Sequence, residues 1–309
     1  MENLKSYIDD RISLKIEYSK NFYPIIYVDL LGKCNMNCNI CYNSNIRGKW
    51  ELSIEKFEKL MKKLPNKVFI RFVGGEPTIH PNFFEFISLA RTYGHFVTVS
   101  SNGIMYSDDD FVKKMSDVRY NNRMCGYGIT LNGGFDVSHP AWGVIDGDEN
   151  IGKIKHIGLQ KLLENGIHNI GLTAIIVRDL NESIIYDLYE FSKKNKNITN
   201  LKFRSVGVNL GSKISTIPYT TREFRDILFP KYITGDTEKI IFDGVSDDRC
   251  NLCCYEFRCE GINIKQIEFG TDGANKCWKR GYIDFDDECI YPFFEYETIK
   301  AEYYEIKNN

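Results

Sequence analysis

The sequence predicts an α/β fold in which six strand–helix repeats curl into an incomplete barrel, a partial (β/α)6 arrangement, followed by a small Cys-rich C-terminal appendage. Two observations carry this prediction. Short β-branched apolar runs alternate with helical stretches from residue 24 to about residue 221, and such alternation implies parallel strands joined by right-handed crossovers. After about Gly235 the alternation gives way to a segment rich in cysteine, aromatic and acidic residues. A chain of 309 residues with 43% hydrophobic content is large enough to bury one main core and carry an appendage. The expected organisation is an N-terminal extension over 1–23, the core over 24–234 and the appendage over 235–309, with an open doubly wound sheet as the alternative to the barrel.

Each element follows from local pattern. Residues 24–30 (PIIYVDL) read as a buried strand that ends where the first cysteines begin. Ser53 is placed to cap a helix carrying Phe57, Leu60, Met61 and Leu64 at helical spacing, and residues 67–73 form a second strand. A Gly74-Gly75-Glu76-Pro77 turn closes that strand. A helix over 82–93 follows, with Gly94 as its stop, and then a third strand over 95–100. Ser107 is expected to cap a helix ending near Asp117, and residues 126–131 form a fourth strand with Cys125 at its start. A polar, Gly-rich excursion over 132–150 is long enough to suggest a functional role, and a helix ending at Gly166 comes after it. Residues 170–177 are a fifth strand, Asn181 is expected to cap a helix reaching Asn195, residues 201–206 are a sixth strand, and Thr221 is expected to cap a further helix. In parallel α/β folds ligands bind at the carboxyl ends of the strands. The Cys group, the Gly-Gly-Glu-Pro turn and Ser100-Ser101-Asn102-Gly103 all fall there.

Charge excludes some classes. Forty Lys and Arg against 42 Asp and Glu leave no electrostatic footprint for nucleic acid or an anionic membrane. The first twenty residues are charged and lack an apolar signal region, and no run is long enough to span a bilayer. The expected setting is the cytoplasm, where clustered thiols serve metals more often than disulfides. The ten cysteines divide into Cys34, Cys38 and Cys41; a later group of Cys250, Cys253, Cys254, Cys259 and Cys277; and the isolated Cys125 and Cys289.

The spacing Cys34-x3-Cys38-x2-Cys41 lets one loop offer three thiolates to one body. Iron–sulfur clusters usually take four, and a shortage of one leaves an open coordination position, as in catalytic zinc sites. A zinc site, or three unrelated core thiols, is the plainer alternative. CNMNCNIC at 34–41 resembles the CxxxCxΦC signature of the radical S-adenosylmethionine (SAM) superfamily, with Ile40 at the Φ position. The resemblance implies a [4Fe-4S] cluster on Cys34, Cys38 and Cys41 whose fourth iron is chelated by S-adenosyl-L-methionine. Electron transfer then cleaves SAM to a 5′-deoxyadenosyl radical that abstracts hydrogen, with a flavodoxin- or ferredoxin-like protein as donor.

The same resemblance assigns SAM contacts. Ile40 would pack near the adenine. Gly74, Gly75, Glu76 and Pro77 resemble the family's GGEP motif, whose backbone and carboxylate meet the SAM amino group, in keeping with close backbone approach at glycine and a charge-assisted bond to an ammonium. Ser100, Ser101, Asn102 and Thr130 resemble positions that bind the SAM carboxylate or ribose, and Arg204 would face a carboxylate across the barrel. By themselves the glycine and Ser-Asn-Gly segments are also ordinary turn chemistry, and Arg204 is also readable as a satisfied polar residue. Cys125 reads as a small buried hydrophobe or as a thiol hydrogen donor. The aromatic residues at 291–304 read as core or covering surface.

The second group resembles the twitch or SPASM auxiliary-cluster modules that follow many radical SAM cores. Cys250-x2-Cys253-x5-Cys259 partly matches the SPASM spacing, and Cys259…Gly273…Cys277 resembles the Cys-Gly-Cys hairpin. The order of the two pieces is inverted, and too few cysteines remain for two extra clusters. One auxiliary [4Fe-4S] cluster on Cys250, Cys253, Cys259 and Cys277 is expected. Cys254 and Cys289 compete for the fourth place, and a structural zinc site is the alternative. A tail of this kind points to a ribosomally made peptide as substrate, with a small molecule such as a nucleotide or aminoglycoside as the other reading. The short N-terminal segment is expected to lack a separate peptide-recognition domain. A zinc-stabilised binding protein is the non-enzyme alternative.

Overall fold

The structure, a computed structural model, describes residues 25–41, 48, 51–64, 68–206 and 213–233, and five strands between 241 and 292. Its centre is six strands in sequential order: β1 (Ile25–Asp29), β2 (Phe69–Val73), β3 (Phe96–Ser101), β4 (Cys125–Thr130), β5 (Ile170–Ile176) and β6 (Ile198–Ser205), each parallel to the next. Crossovers carry helices α1 (Ile54–Lys63), α2 (Phe83–Thr92), α3 (Asp109–Met115), α4 (Ile151–Glu164) and α5 (Ile184–Lys194). This is the expected partial β/α barrel. One face of the strands supplies the core through Val28, Phe72, Val97, Ile129, Leu172 and Phe203, all essentially buried. Under β2, Phe57 of α1 packs edge-on to Phe86 of α2 at 5.0 Å and against Phe72 at 5.7 Å.

The C-terminal strands add to both edges of this sheet. β9 (Ile262–Ile267) pairs parallel with β6, and β8 (Cys254–Cys259) and β7 (Ile241–Val245) continue outward antiparallel. At the other edge β10 (Arg280–Ile283) pairs parallel with β1, and β11 (Ile290–Pro292) pairs antiparallel with β10.

Curvature is visible in what the sheet encloses. Residues of β2 and of β6 line one cavity, although four strand spacings of about 4.8 Å would hold them roughly 19 Å apart on a flat sheet. The sheet therefore curls, and its concave face is polar.

Helix starts agree with the sequence at Ser53, whose side chain accepts from the Lys56 N–H. Three others are corrected. Asp108, not Ser107, caps α3 by accepting from Phe111 N at 2.8 Å, while Ser107 Oγ closes a tight turn on Ile104 O. Asn181 caps nothing, because its side chain is drawn into the interior described below. Thr220, one residue before the expected Thr221, forms a reciprocal cap with Glu223: Thr220 Oγ1 accepts from Glu223 N, and Glu223 Oε2 accepts from Thr220 N at 2.8 Å.

Candidate functional site

The Cys34–Cys41 loop leaves the carboxyl end of β1 and is held there by the turn after β2. Gly75 N donates to Leu31 O at 2.8 Å and Glu76 N to Lys33 O at 3.0 Å. Side chains cannot fit in this contact. A Cβ at Gly75 would lie 2.0 Å from Lys33 O, and one at Gly74, where φ is +121°, would lie 2.6 Å from Leu31 O. Cys34, Cys38 and Cys41 are half-buried and none is in a disulfide. The Met36 N–H points at Cys34 Sγ at 3.4 Å, and Cys41 N donates to Cys38 O at 3.3 Å. Ile40 packs on a small buried group of Ala141, Ile145, Val177 and Val206.

Glu76 ties three strand ends together. Its carboxylate is buried and accepts four hydrogen bonds: from Thr78 N (3.1 Å), Thr78 Oγ1 (2.5 Å), Ser101 Oγ (2.8 Å) and Asn102 N (2.7 Å). Burial pushes its pKa up, and those four donors pull the other way. Asn102 Nδ2 in turn donates to Asn35 Oδ1 at 2.7 Å, so the end of β3 also touches the Cys loop. Thr130 Oγ1 reaches Ser101 O at 3.4 Å, and Pro77 is buried in the short helical turn that follows Glu76.

Below this rim lies the cavity on the concave face, about 900 Å³ together with the open solvent space at its mouth. Of the residues expected at the site, Ser100, Ser101, Thr130 and Arg204 line it; Glu76, Asn102 and the three cysteines are not among its described lining residues. Glycines at 126, 128 and 171 open the space. Arg71, Lys202 and Arg204 bring positive charge, and among its described lining residues there is no Asp or Glu. Arg71 is fixed by bonds to Thr98 Oγ1 and Tyr27 OH, both at 3.2 Å. Sequence reasoning missed Arg71, Thr98 and Lys202, although polar residues at alternate positions of otherwise apolar strands were a readable sign.

The 132–150 excursion docks on the Cys loop. Its core is a π-helical turn, Trp142–Asp146, and Asn39 holds it with three bonds: Asn39 N to Ile145 O (3.0 Å), and Asn39 Nδ2 to Gly143 O (3.3 Å) and Val144 O (3.1 Å). Asp146 then faces Cys38, whose Sγ lies 4.0 Å from Asp146 Oδ1. Burial first, and the Asp146 carboxylate second, push the Cys38 thiol up to about 12.

Three half-buried thiols on one loop, pressed by a side-chain-free turn at a parallel-strand rim, suit a cluster held on three sides. Among the described residues no three His, Cys, Asp or Glu side chains gather as a single-ion site. Of the second group, Cys250, Cys253 and Cys277 lie outside the described residues, as does Cys289. Cys254 and Cys259 are the two ends of β8. No helix among the described residues is long and apolar enough to cross a membrane.

Comparison with known proteins gives a consistent setting. The Radical SAM superfamily profile matches residues 28–192, just over half of the chain. A 7,8-dihydro-6-hydroxymethylpterin dimethyltransferase of Methanocaldococcus jannaschii is 30% identical over 183 residues, covering 55% of this chain and 34% of that protein. An Fe-coproporphyrin III synthase of Methanosarcina barkeri is 28% identical over 186 residues, covering 58% of this chain and 44% of that protein. The chain thus spans less than half the length of these two relatives. In fold it resembles Streptococcus suis SuiB, with a TM-score of 0.65 at 14% identity over 94% of this chain and 64% of that one.

Proposed function

Because the chain belongs to the radical SAM superfamily, we propose that it is an enzyme that holds a [4Fe-4S] cluster on Cys34, Cys38 and Cys41, binds SAM against it, and abstracts hydrogen from a substrate in the cavity below. The observation that carries this reading is the contact of the Gly74-Gly75 turn with the Cys loop, which brings the two motifs to one rim. When bound, these cofactors supply an electron and a 5′-deoxyadenosyl radical. The chain's own residues hold and enclose. The cysteines grip three irons, and Ile40 offers an apolar surface for the adenine. The backbone of Gly74, Gly75 and Pro77, with Ser100, Asn102, Thr130 and Arg204, surrounds the rest of SAM. Glu76 acts mainly as the brace of this rim, since its oxygens already accept four bonds from the chain.

The test is anaerobic reconstitution with iron and sulfide, then SAM and dithionite. 5′-Deoxyadenosine is expected from the wild type and none from the chain with Cys34, Cys38 and Cys41 all replaced by Ala. A wild type that binds zinc and makes no 5′-deoxyadenosine is a binding protein instead. A flavodoxin- or ferredoxin-like donor takes the place of dithionite in the cell.

For the substrate, the cavity favours a small anionic molecule over the peptide that the tail suggested. Its described lining residues include three cations and no carboxylate, a setting that rewards phosphate or carboxylate groups. In thermal-shift measurements a phosphorylated or carboxylated compound should stabilise the protein where its neutral counterpart does not, and Lys202→Gln should remove the difference. If no anionic compound does better than its neutral partner, the peptide reading takes its place. Cys250, Cys253, Cys259 and Cys277 are proposed to hold one auxiliary [4Fe-4S] cluster in the region 235–309, adding about four irons per chain. That excess should vanish in the Cys253→Ala, Cys277→Ala double variant.

A further inference from the structure

Beneath the Cys38 sulfur lies a buried charge pair that the proposed chemistry does not use. Asp146 and Lys155 are 3% and 0% exposed, with Lys155 Nζ 3.1 Å from Asp146 Oδ1. Asn132 completes the set, its Nδ2 donating to Oδ1 at 3.1 Å and to Oδ2 at 3.2 Å, while its own Oδ1 accepts from Ile175 N at 2.9 Å. The carboxylate thus has an ammonium and an amide directed at it, and one of its oxygens faces Cys38 Sγ at 4.0 Å. The position is rigid. Asn39, next to Cys38 in the chain, is bonded to the same π-helical turn, and a Cβ at Gly147, where φ is +77°, would meet Asn37 O at 2.8 Å.

Stability does not explain this pair. Replacing a buried ion pair by apolar residues of similar volume is often neutral or stabilising. Its placement against one of three ligand residues does have a chemical consequence, because charge and hydrogen bonding around ligand sulfurs set the potential of an iron–sulfur cluster.

We propose that Asp146, oriented by Lys155 and Asn132, is a positioning residue that acts through the Cys38 ligand, its carboxylate facing that sulfur and keeping the cluster's reduction potential low. This rests on the cluster reading given above. The carboxylate oxygen is the end that faces the sulfur, so it disfavours added electron density on the cluster. A low-potential cluster, once reduced, is a stronger donor.

The experiment uses the full chain, reconstituted anaerobically, as wild type, Asp146→Asn, and the double variant Asp146→Asn, Lys155→Met. Iron content, the EPR spectrum of the reduced cluster and the midpoint potential are read for each. Asp146→Asn removes the nearby negative charge and leaves Lys155, so the midpoint is expected to rise and the g-values to shift at unchanged iron. The double variant removes both charges and should show a smaller rise. Should the single variant fail to fold, the double variant decides alone, because no uncompensated charge remains in it. Midpoints and spectra equal to wild type in every variant that folds would overturn the proposal. A wild type without any cluster would overturn it together with the cluster reading, whereas an intact cluster with unmoved potentials removes only the role of Asp146.

Discussion

At residue 75 the chain tolerates no side chain. A Cβ there would lie 2.0 Å from the carbonyl oxygen of Lys33, a backbone atom that can retreat only if the Cys loop moves with it. Gly75→Ala should therefore reconstitute with markedly less iron than wild type while keeping its far-UV circular dichroism. Full iron loading in that variant would show that the loop does not depend on the turn. Glu76 makes a complementary case. All four of its partners are donors, so Glu76→Gln sets an NH2 group against an N–H or O–H. A buried polar group left unpaired in this way costs about 1–3 kcal/mol. Chemical denaturation should show that loss, and a variant as stable as wild type would mean that the rim reorganises around an amide.

Helix starts show what local sequence can and cannot decide. Ser53 was legible because its cap needs only the next turn of chain. Ser107 was not, because the neighbouring Asp108 takes the capping place with a carboxylate that also suits the positive end of the helix. Replacing Asp108 by Ala should cost about 1 kcal/mol, read as a lower denaturation midpoint, and a cost near zero would return the cap to Ser107. Asn181 fails as a cap for another reason. Its Oδ1 accepts from Val177 N at 2.8 Å, just behind it in the chain, and its amide donates to Asn132 O at 2.7 Å, a bond that exists only once β4 and β5 are side by side. The same limit applies to the site. The cysteines and the glycine turn were legible as short motifs, whereas Asp146 opposite Cys38 joins residues 108 apart, and no spacing rule reaches that far.

At the scale of the molecule, six repeats were readable from local periodicity, but the C-terminal strands that extend both sheet edges were not, because pairing such as Ile25 with Arg280 is wholly non-local. The two ends of the strands also differ in kind. The carboxyl ends carry the polar rim, while His95 lies at the amino ends, just ahead of β3. It is fully buried, and neither ring nitrogen has a hydrogen-bond partner among the described residues. Its carbonyl accepts from Arg91 Nη1 at 2.6 Å, so a positive charge stays close by. Burial first, then Arg91, pushes the imidazole down to about 4 from its ordinary 6.5. The sign follows from proton uptake. Between these values the unfolded chain binds a proton at this position and the native chain does not, so folding loses about 1.4 kcal/mol for each pH unit of descent through the window. Above about pH 6.5 the native state feels no penalty from this group, and below about 4 the loss has levelled off. His80 is lowered too, chiefly by burial, so the wild type's total slope is not the measure. The comparison is between wild type and His95→Leu, in urea midpoints from pH 7.5 to 4.5. The variant should gain on the wild type steadily as pH falls, since it has no imidazole to charge. A difference between the two that stays flat across that range would mean that His95 finds a partner for its proton in the folded chain.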